Sequence, residues 1–281
     1  MKGMFEMKMK SKLLILSVVV ATAGFLPQSK AQDVNLETAN NFGVLAGSAV
    51  TVAGLPSTIN GGSVGVAGGS AIGLLPSQVN GGSLQSDTAV AILAQNNLGT
   101  AYTTAAGLGP VTSLGIGPST QLGGLVLTPG IYSIGQGAQI TGTLTLNYQG
   151  NPDALFVFQI GSTLITASGG SVAAINDPNS STAGISTYWQ VGKSATLGTG
   201  TQFQGNILAY ASITDDGGST VDGRLLAETA AVNLNDTTVN VLPAEPQVVP
   251  VPEPSTLIAA LLLLPVCAGT IRCAFRRKQT V

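Results

Sequence analysis

Histidine is absent from this 281-residue chain, and charged residues make up only 9% of it. Without histidine, the sequence excludes Ser-His-Asp triads, Cys-His nucleophiles and the commonest ligand sets of zinc and iron. The charged fraction is far below the roughly 25% of an average soluble protein. Hydrophobic residues still make up 44% of the chain, which excludes a disordered polypeptide. Any catalysis would have to come from carboxylates or hydroxyls.

Basic residues are scarce in the body of the chain. Between residues 32 and 255 only Lys193 and Arg224 are basic, whereas twelve residues are acidic, so this part carries a net charge of 2 − 12 = −10. An acidic body argues against nucleic acid as a partner. The other nine basic residues lie near the two ends of the chain.

The N-terminus has the pattern of a secretory signal. A basic segment is followed by an apolar run over 13–26 and then by Ser29-Lys30-Ala31, which places small residues at the −3 and −1 positions. The pattern predicts a signal peptide over 1–31 with cleavage after Ala31. A retained signal anchor is the alternative.

The C-terminal part contains a proline-rich segment over 242–255 and then an apolar stretch over 256–271. Arg272 and the cluster Arg276-Arg277-Lys278 follow. This order predicts a linker and then a membrane helix with a basic tail on the cytoplasmic side, over 256–281. Cys267 and Cys273 both lie in this tail, so we expect the exported body to contain no disulfide.

The region 155–241 repeats with a period of about eighteen residues. Ile207 and Leu225 are eighteen residues apart, and so are Phe203, Val221 and Val239. Each repeat contains three short segments that alternate apolar with polar residues, separated by Gly or Asn-Asp corners. One turn cannot bury its apolar side alone, so the pattern predicts stacked turns, which is a β-solenoid with three faces. Asp215 departs from the pattern, since Leu197 and Leu234 occupy the equivalent position; it indicates a distorted corner or a solvated end of the row.

A second repeat and a helix precede this region. Residues 56–64 return twenty residues later as 76–84, which predicts further coils. The segment 86–106 predicts one long α-helix, with Ser86 or Asp87 as N-cap and Gly107 as C-cap. We expect one stripe of this helix to pack against the coils: Val90, Leu93, Ala94, Ala101 and Ala105.

Several separate stretches of the body, in order, resemble the ice-binding protein family formerly called DUF3494. They are NFGVLAG at 41–47, LGGL at 122–125, LTPGIY at 127–132, FVFQIGS at 156–162, WQVG at 189–192 and NILA at 206–209. The resemblance implies an all-β fold: a discontinuous right-handed β-helix of triangular cross-section with the long α-helix packed alongside, spanning 32–241.

The residues VPEPST at 251–256, with the apolar stretch and basic tail after them, resemble the PEP-CTERM sorting signal of bacterial envelope proteins. This resemblance implies recognition by an exosortase, removal of the helix, and delivery to the cell surface or extracellular matrix. The membrane would then be a partner only through the C-terminal helix before processing.

The family resemblance also implies a flat, weakly charged face on which small hydroxyl residues order water. Members often carry hydroxyl residues at the corner that leads into the third segment of each turn. The equivalent residues here form the expected ice-binding site: Ser168, Ser171, Thr199, Thr201, Gln202, Ser219, Thr220, Thr237 and Thr238. An alternative ice-binding surface is the outward stripe of the second segment of each turn, which consists of Thr196, Thr214 and Asn233.

Three functions remain open at the level of the sequence. The first is a secreted or surface-displayed protein that adsorbs to ice and restrains its growth and recrystallisation. The second is a structural or carbohydrate-associated matrix protein without ice activity, for which extracellular polysaccharide would be the partner. The third is a polysaccharide lyase or hydrolase using Asp215, Asp216 and Asp222, but clustered turn aspartates are usually corner residues. We therefore expect no enzyme activity, no cofactor and no metal.

Overall fold

The computed structural model describes residues 34–178 and 186–241. The expected signal peptide, linker and C-terminal sorting segment lie outside the described residues.

Successive turns of the chain each contribute up to three strands, and strands of neighbouring turns pair in parallel to form three stacks, here called faces 1, 2 and 3. Face 1 contains β1 (Phe42–Ala46), β4 (Ser63–Val66), β7 (Leu84–Ser86), β8 (Thr112–Gly115), β11 (Gly130–Ile134), β14 (Phe156–Ile160), β17 (Thr187–Val191) and the second halves of β19 (Gln202–Ala209) and β21 (Thr220–Ala227). Face 2 contains β2 (Ala49–Val52), β5 (Ala71–Ile72), β9 (Ser119–Gln121), β12 (Gly137–Ile140), β15 (Leu164–Thr166), β18 (Ala195–Leu197), β20 (Ile213–Asp215) and β22 (Val232–Leu234). Face 3 contains β3 (Thr58–Asn60), β6 (Val79–Asn80), β10 (Val126–Leu127), β13 (Thr143–Asn147), β16 (Ser171–Ile175), the first halves of β19 and β21, and β23 (Thr238–Asn240). The helical elements are α1 (Ala89–Gly107) and 3-10 helices at Glu37–Asn41 and Pro76–Gln78.

The predicted eighteen-residue repeat is confirmed by the strand register. Ile207 lies opposite Leu225, Phe203 opposite Val221, and Val221 opposite Val239. Apolar and polar residues alternate along these strands because every second side chain points into the coil, where inward residues of all three faces form one core. Strands and one helix therefore form a solenoid-like fold, as expected.

The coils do not follow the order of the chain. β1, β2 and β3 pair with β21, β22 and β23, so the N-terminal coils stack on the last C-terminal coil. The chain then continues outward to β7 at one end of the stack. After α1 it resumes with β8 at the other end and returns coil by coil. Residues distant in the sequence thus meet within each face, two or three strands from its β5–β7 end.

Aromatic rings fill part of the interior. Tyr132, Phe158 and Trp189 occupy matching positions in successive coils of face 1, with ring centroids 5.5 and 3.9 Å apart. Phe203 packs on the other side of Trp189 at 5.2 Å. The indole Nε1 donates to the Gln204 carbonyl oxygen at 3.1 Å, so the largest side chain of the core leaves no buried donor unpaired.

Helix α1 covers the outer side of face 1. Its N-cap is Thr88, whose hydroxyl accepts from the Ala91 amide, rather than Ser86 or Asp87. Gly107 is the last helical residue and Leu108 is the C-cap. The buried stripe is Ala91, Ala94, Leu98, Ala101 and Ala105.

Two residues of the expected stripe, Val90 and Leu93, are instead 52% and 49% exposed. The helix is apolar on several sides, so the sequence pattern alone did not select the buried one. Small alanines form most of the contact because they allow the helix to approach the sheet closely. No helix among the described residues is long and apolar enough to cross a membrane.

The titratable groups with displaced pKa values lie on the helix side of the fold. Arg224 is buried and donates to the Asn206 side chain at 2.9 Å and to the Asn40 carbonyl oxygen at 3.1 Å. Burial lowers the pKa of its guanidinium to about 10. Through these hydrogen bonds Arg224, on β21, connects the N-terminal segment at Asn40 with β19 at Asn206.

Glu228 follows β21 and lies against α1. A Cβ on Gly99 would lie 3.3 Å from its Oε1, so this mid-helix glycine leaves room for the carboxylate. The buried Oε2 has no hydrogen-bond partner, and burial raises the pKa of the carboxyl group. The charged form of Glu228 therefore destabilises the fold.

Replacing Glu228 with Gln tests this directly. Because the pKa of Glu228 is higher in the folded state than in the unfolded state, folding favours the protonated form, and stability falls as the pH rises from the unfolded pKa through the folded one. We expect E228Q and the wild type to unfold with similar free energies below about pH 4, and E228Q to be the more stable at pH 7. Chemical denaturation across this pH range measures the difference, and a less stable E228Q at pH 7 would contradict the assignment.

Candidate functional site

Face 2 presents two columns of small, uncharged side chains to solvent. One column places Thr51, Asn233, Thr214 and Thr196 next to one another on adjacent strands. The second column contains Ser212 and Ser194, which immediately precede β20 and β18, two residues before Thr214 and Thr196. It continues over Ala231, which precedes β22, and Ala49 at the start of β2. Neighbouring strands are about 4.8 Å apart and alternate residues about 6.6 Å apart, so the columns form a two-dimensional grid.

Hydrogen bonds along the columns hold these side chains in place. The Thr51 hydroxyl donates to Asn233 Oδ1 at 2.7 Å, and Asn233 Nδ2 donates to Thr214 Oγ1 at 3.2 Å. In the second column the Ser212 hydroxyl donates to Ser194 Oγ at 3.0 Å. Side chains that are already ordered lose little conformational entropy when a rigid surface binds them.

The strands of face 2 present no charge to solvent. Their only charged residue is Asp215, whose side chain points inward and is buried. Lys193 and Asp216 are exposed, but they lie at the corners outside the strands. The column continues toward the β9 end over Ile165, Gln139 and Gln121, which are larger. The flattest part of the face therefore spans β2, β22, β20 and β18.

Face 3 has a different character. Asn80 donates to Asn60, Asn60 to Asn240, and Asn240 to the Asp222 carboxylate, each at 2.9 Å. Asp222 points outward, so this face carries a formal negative charge. Gln204 follows in the same row, opposite Asp222. This row of face 3 is a ladder of amides, whereas the row described next, on the same face, contains mostly small hydroxyl residues.

Four residues of the expected site form a row on face 3. Ser171, Gln202, Thr220 and Thr238 lie side by side on β16, β19, β21 and β23. Ser168 and Thr199 are exposed at the corner between faces 2 and 3.

The remaining three expected site residues, Thr201, Ser219 and Thr237, are at most 1% exposed. The Thr201 hydroxyl donates to the Gly198 carbonyl oxygen at 2.6 Å. Ser219 donates to Asp215 Oδ1 and Thr237 to Asp215 Oδ2, both at 2.5 Å. These hydroxyls line the inside of the corner and do not reach its outer surface.

These hydrogen bonds explain why an aspartate, Asp215, occupies a position that is leucine in the neighbouring coils. Its Oδ1 also accepts from the Gly217 amide at 3.2 Å, so the carboxylate joins its own corner to that of the next coil. The alternative of a solvated end of the row is wrong, because Asp215 is 3% exposed. A buried carboxylate is tolerated here because hydrogen-bond donors surround it.

Sequence reasoning missed Thr51, Ser194 and Ser212 on face 2, and Thr58 and Thr143 in the face 3 row. Ser194 and Ser212 could have been predicted from the sequence, because both precede segments in which apolar and polar residues alternate. Nothing in the sequence showed that Thr51 stacks beside a residue 182 positions away.

The three candidate catalytic aspartates do not converge on one site. Asp215 faces the interior, Asp222 lies on the outer side of face 3, and Asp216 is exposed at a corner. Among the described residues, no group of three or more Cys, Asp or Glu side chains is placed to hold a metal ion.

Replacing Asp215 with Leu, the residue of the neighbouring coils, tests the importance of this corner. The change removes the acceptor for Ser219, Thr237 and the Gly217 amide, and buried groups without partners cost about 1–3 kcal/mol each. We expect D215L to lower the free energy of unfolding by at least about 2 kcal/mol, measured by chemical denaturation. The exposed neighbour provides the control: D216L should change stability by less than about 0.5 kcal/mol. A D215L protein as stable as the wild type would show that an apolar corner serves equally well.

Comparisons with known proteins agree with this architecture. The model of the family described as Ice-binding-like matches residues 44–240. An ice-binding protein of Nostoc sp. (strain HG1) is 47% identical over 261 residues, covering 90% of this chain and 92% of the relative. An ice-binding protein of Colwellia sp. is 31% identical over 252 residues, covering 82% and 93%.

Solved structures show the same fold. An ice-binding protein from an Antarctic biological consortium is similar with a TM-score of 0.67 and 38% identity, covering 74% of this chain and 90% of the other. The ice-binding protein of the ascomycete Antarctomyces psychrotrophicus gives a TM-score of 0.68 and 31% identity, covering 75% and 98%. The matched part makes up nearly the whole of the latter chain. The chain described here belongs to the Ice-binding-like family.

Proposed function

We propose that this protein adsorbs to ice and restrains the growth and recrystallisation of ice crystals. The observation that carries the proposal is the grid of small, uncharged, hydrogen-bonded side chains on face 2. The names of the related proteins support the same target. Ice presents a rigid and regular array of water, so a protein binds it best with a surface that is equally flat and ordered.

Charge and mobility explain why face 2 suits this role. A charged side chain holds its own hydration water, and removing or reordering that water costs free energy. The hydroxyl group of threonine costs much less to desolvate than a charge, and it can hydrogen-bond a water in a fixed place. Because hydrogen bonds join Thr51, Asn233 and Thr214, the orientation of their side chains is already fixed in the unbound protein.

The alternative surface consists of those members of the site expected from the sequence that are not buried. These are Ser168, Thr199, Ser171, Gln202, Thr220 and Thr238. Their row on face 3 is regular, but Asp222 and Gln204 lie in the next row. We therefore place ice on face 2 and keep face 3 as the alternative.

We also propose the finer features that the family resemblance implies. The coil is right-handed with a triangular cross-section, supported by the three strand stacks. The protein is exported by the segment 1–31 and sorted to the bacterial cell surface or matrix by an exosortase acting on 256–281. An ice-binding surface is useful outside the cell, where ice forms first.

A role as a carbohydrate-associated matrix protein is the second candidate. The amide ladder of Asn80, Asn60 and Asn240 favours it, because amide groups are suited to orienting polar ligands. Binding of matrix polysaccharide without any effect on ice would support this role.

Paired bulky substitutions distinguish the two faces. We expect T214Y to lose most of the thermal hysteresis and recrystallisation inhibition of the body (residues 32–241), because the ring prevents close contact between face 2 and ice. T220Y, the matched change on face 3, should retain activity. Both variants are checked for folding by circular dichroism. The reverse result would move the site to face 3, and an inactive wild type would refute ice binding.

A further inference from the structure

The dipeptide Asn-Gly occurs twice in the chain, at Asn60-Gly61 and at Asn80-Gly81. Both copies belong to the tetrapeptide Asn-Gly-Gly-Ser, and in both the asparagine is the last residue of a strand of face 3. The side chains of Asn60 and Asn80 are neighbours in the amide ladder of that face. Because the local sequence is the same, the two sites differ only in their position in the coil stack.

Asparagine followed by glycine can lose its side-chain amide by an intramolecular reaction. The glycine nitrogen attacks the asparagine Cγ, a new C–N bond forms, the bond from Cγ to Nδ2 breaks, and ammonia leaves with the proton of the backbone amide. Solvent water then opens the resulting cyclic imide at either carbonyl group, which gives aspartate or isoaspartate. Glycine favours the attack because it has no Cβ to obstruct it and the greatest backbone freedom.

The attacking nitrogen of the first site is held on both sides. The amide of Gly61 donates to the Asn80 carbonyl oxygen at 2.7 Å. A Cβ on Gly61 would lie 2.6 Å from the Val241 carbonyl oxygen, so the coil on the other side is also in close contact. The side chain of Asn60 is hydrogen-bonded to Asn80 and to Asn240, each at 2.9 Å. The Gly61 nitrogen can therefore reach Cγ of Asn60 only after these contacts have opened locally.

The attacking nitrogen of the second site lies at an edge of the sheet. Strand β6 pairs with β3 alone, so the backbone groups on its other side face no further coil. Within residues 34–178 and 186–241 the amide of Gly81 has no hydrogen-bond acceptor. A Cβ on Gly81 would meet only Gly61, at 3.5 Å. Asn80 is exposed, so water reaches the reacting groups.

We propose that Asn80 is a site of spontaneous deamidation in the folded protein and that Asn60 is protected from the same reaction. Conversion of Asn80 to aspartate or isoaspartate adds a negative charge to the outer side of face 3. It also removes the Nδ2 group that donates to Asn60, so the amide ladder loses its first hydrogen bond. The proposal stands on the edge position of β6 and does not depend on what face 2 binds.

The modification affects a coil that the flat part of face 2 does not include. That part spans β2, β22, β20 and β18, whereas Asn80 follows β5, which is one strand further out. Isoaspartate lengthens the backbone by one atom just before Gly82, where a Cβ would lie 2.1 Å from the Gly62 carbonyl oxygen. So close an approach leaves no room for a longer backbone. We therefore expect isoaspartate to loosen β7, which follows Gly82, and to leave the flat part of face 2 in place.

Incubation of the purified chain at mildly alkaline pH tests the proposal. Protease digestion and mass spectrometry then quantify aspartate and isoaspartate at each of the two sites, and circular dichroism confirms that the chain has remained folded. We expect Asn80 to react at least about ten times faster than Asn60, because only the reaction of Asn60 requires local opening of the sheet. The same incubation in denaturant is the control, in which the two identical tetrapeptides should react at similar rates.

Two outcomes in the wild type would overturn the proposal: equal rates at the two sites of the folded chain, or an Asn80 that reacts in denaturant and stays intact in the folded chain. The variants N60Q and N80Q test each site separately, because glutamine keeps the amide group but forms its larger cyclic imide much more slowly. We expect N60Q to leave the rate at Asn80 unchanged and N80Q to leave Asn60 protected. Fast reaction of Asn60 in N80Q would show that the backbone hydrogen bond of Gly61 gives no protection.

Discussion

No coil of this protein can bury its own inward side chains, and this constraint governs the rest of the structure. A single turn of three short strands has an apolar side but no opposing surface, so each turn is stable only between two others. The aromatic column of Tyr132, Phe158 and Trp189 shows the consequence, since each ring finds its partner in the next coil. Regular stacking of coils in turn places equivalent outward residues side by side, which produces the grid on face 2.

The same constraint explains the discontinuous order of the coils. The N-terminal coils need a neighbour, and the last C-terminal coil supplies it, so β1, β2 and β3 rest on β21, β22 and β23. Helix α1 and the buried Arg224 reinforce this arrangement from the outer side of face 1. The flat part of face 2 is therefore assembled from residues at both ends of the chain, and it forms only when the whole body has folded.

The sequence predicted the elements that repeat and failed at those that do not. The eighteen-residue register around Ile207 and Leu225 followed from apolar spacing alone. The role of Asp215 did not, because its partner Thr237 lies on another coil and looks like any surface hydroxyl in the sequence. For the same reason Thr201, Ser219 and Thr237 were assigned to the outer surface although they line the interior. Periodicity placed Ala94, Ala101 and Ala105 in the buried stripe of α1 correctly. It placed Val90 and Leu93 there wrongly, because they are as apolar as the residues that pack.

The most direct test of this account uses Thr51, which joins the face 2 grid only because the N-terminal coils stack on the C-terminal ones. Thermal hysteresis is measured for T51Y, and for T58Y as a control on face 3 of the same coil, with circular dichroism to confirm folding. The account predicts that T51Y loses most of the activity of the wild type and that T58Y retains it. Undiminished activity in T51Y would contradict the proposal that ice is bound by the face that both ends of the chain assemble.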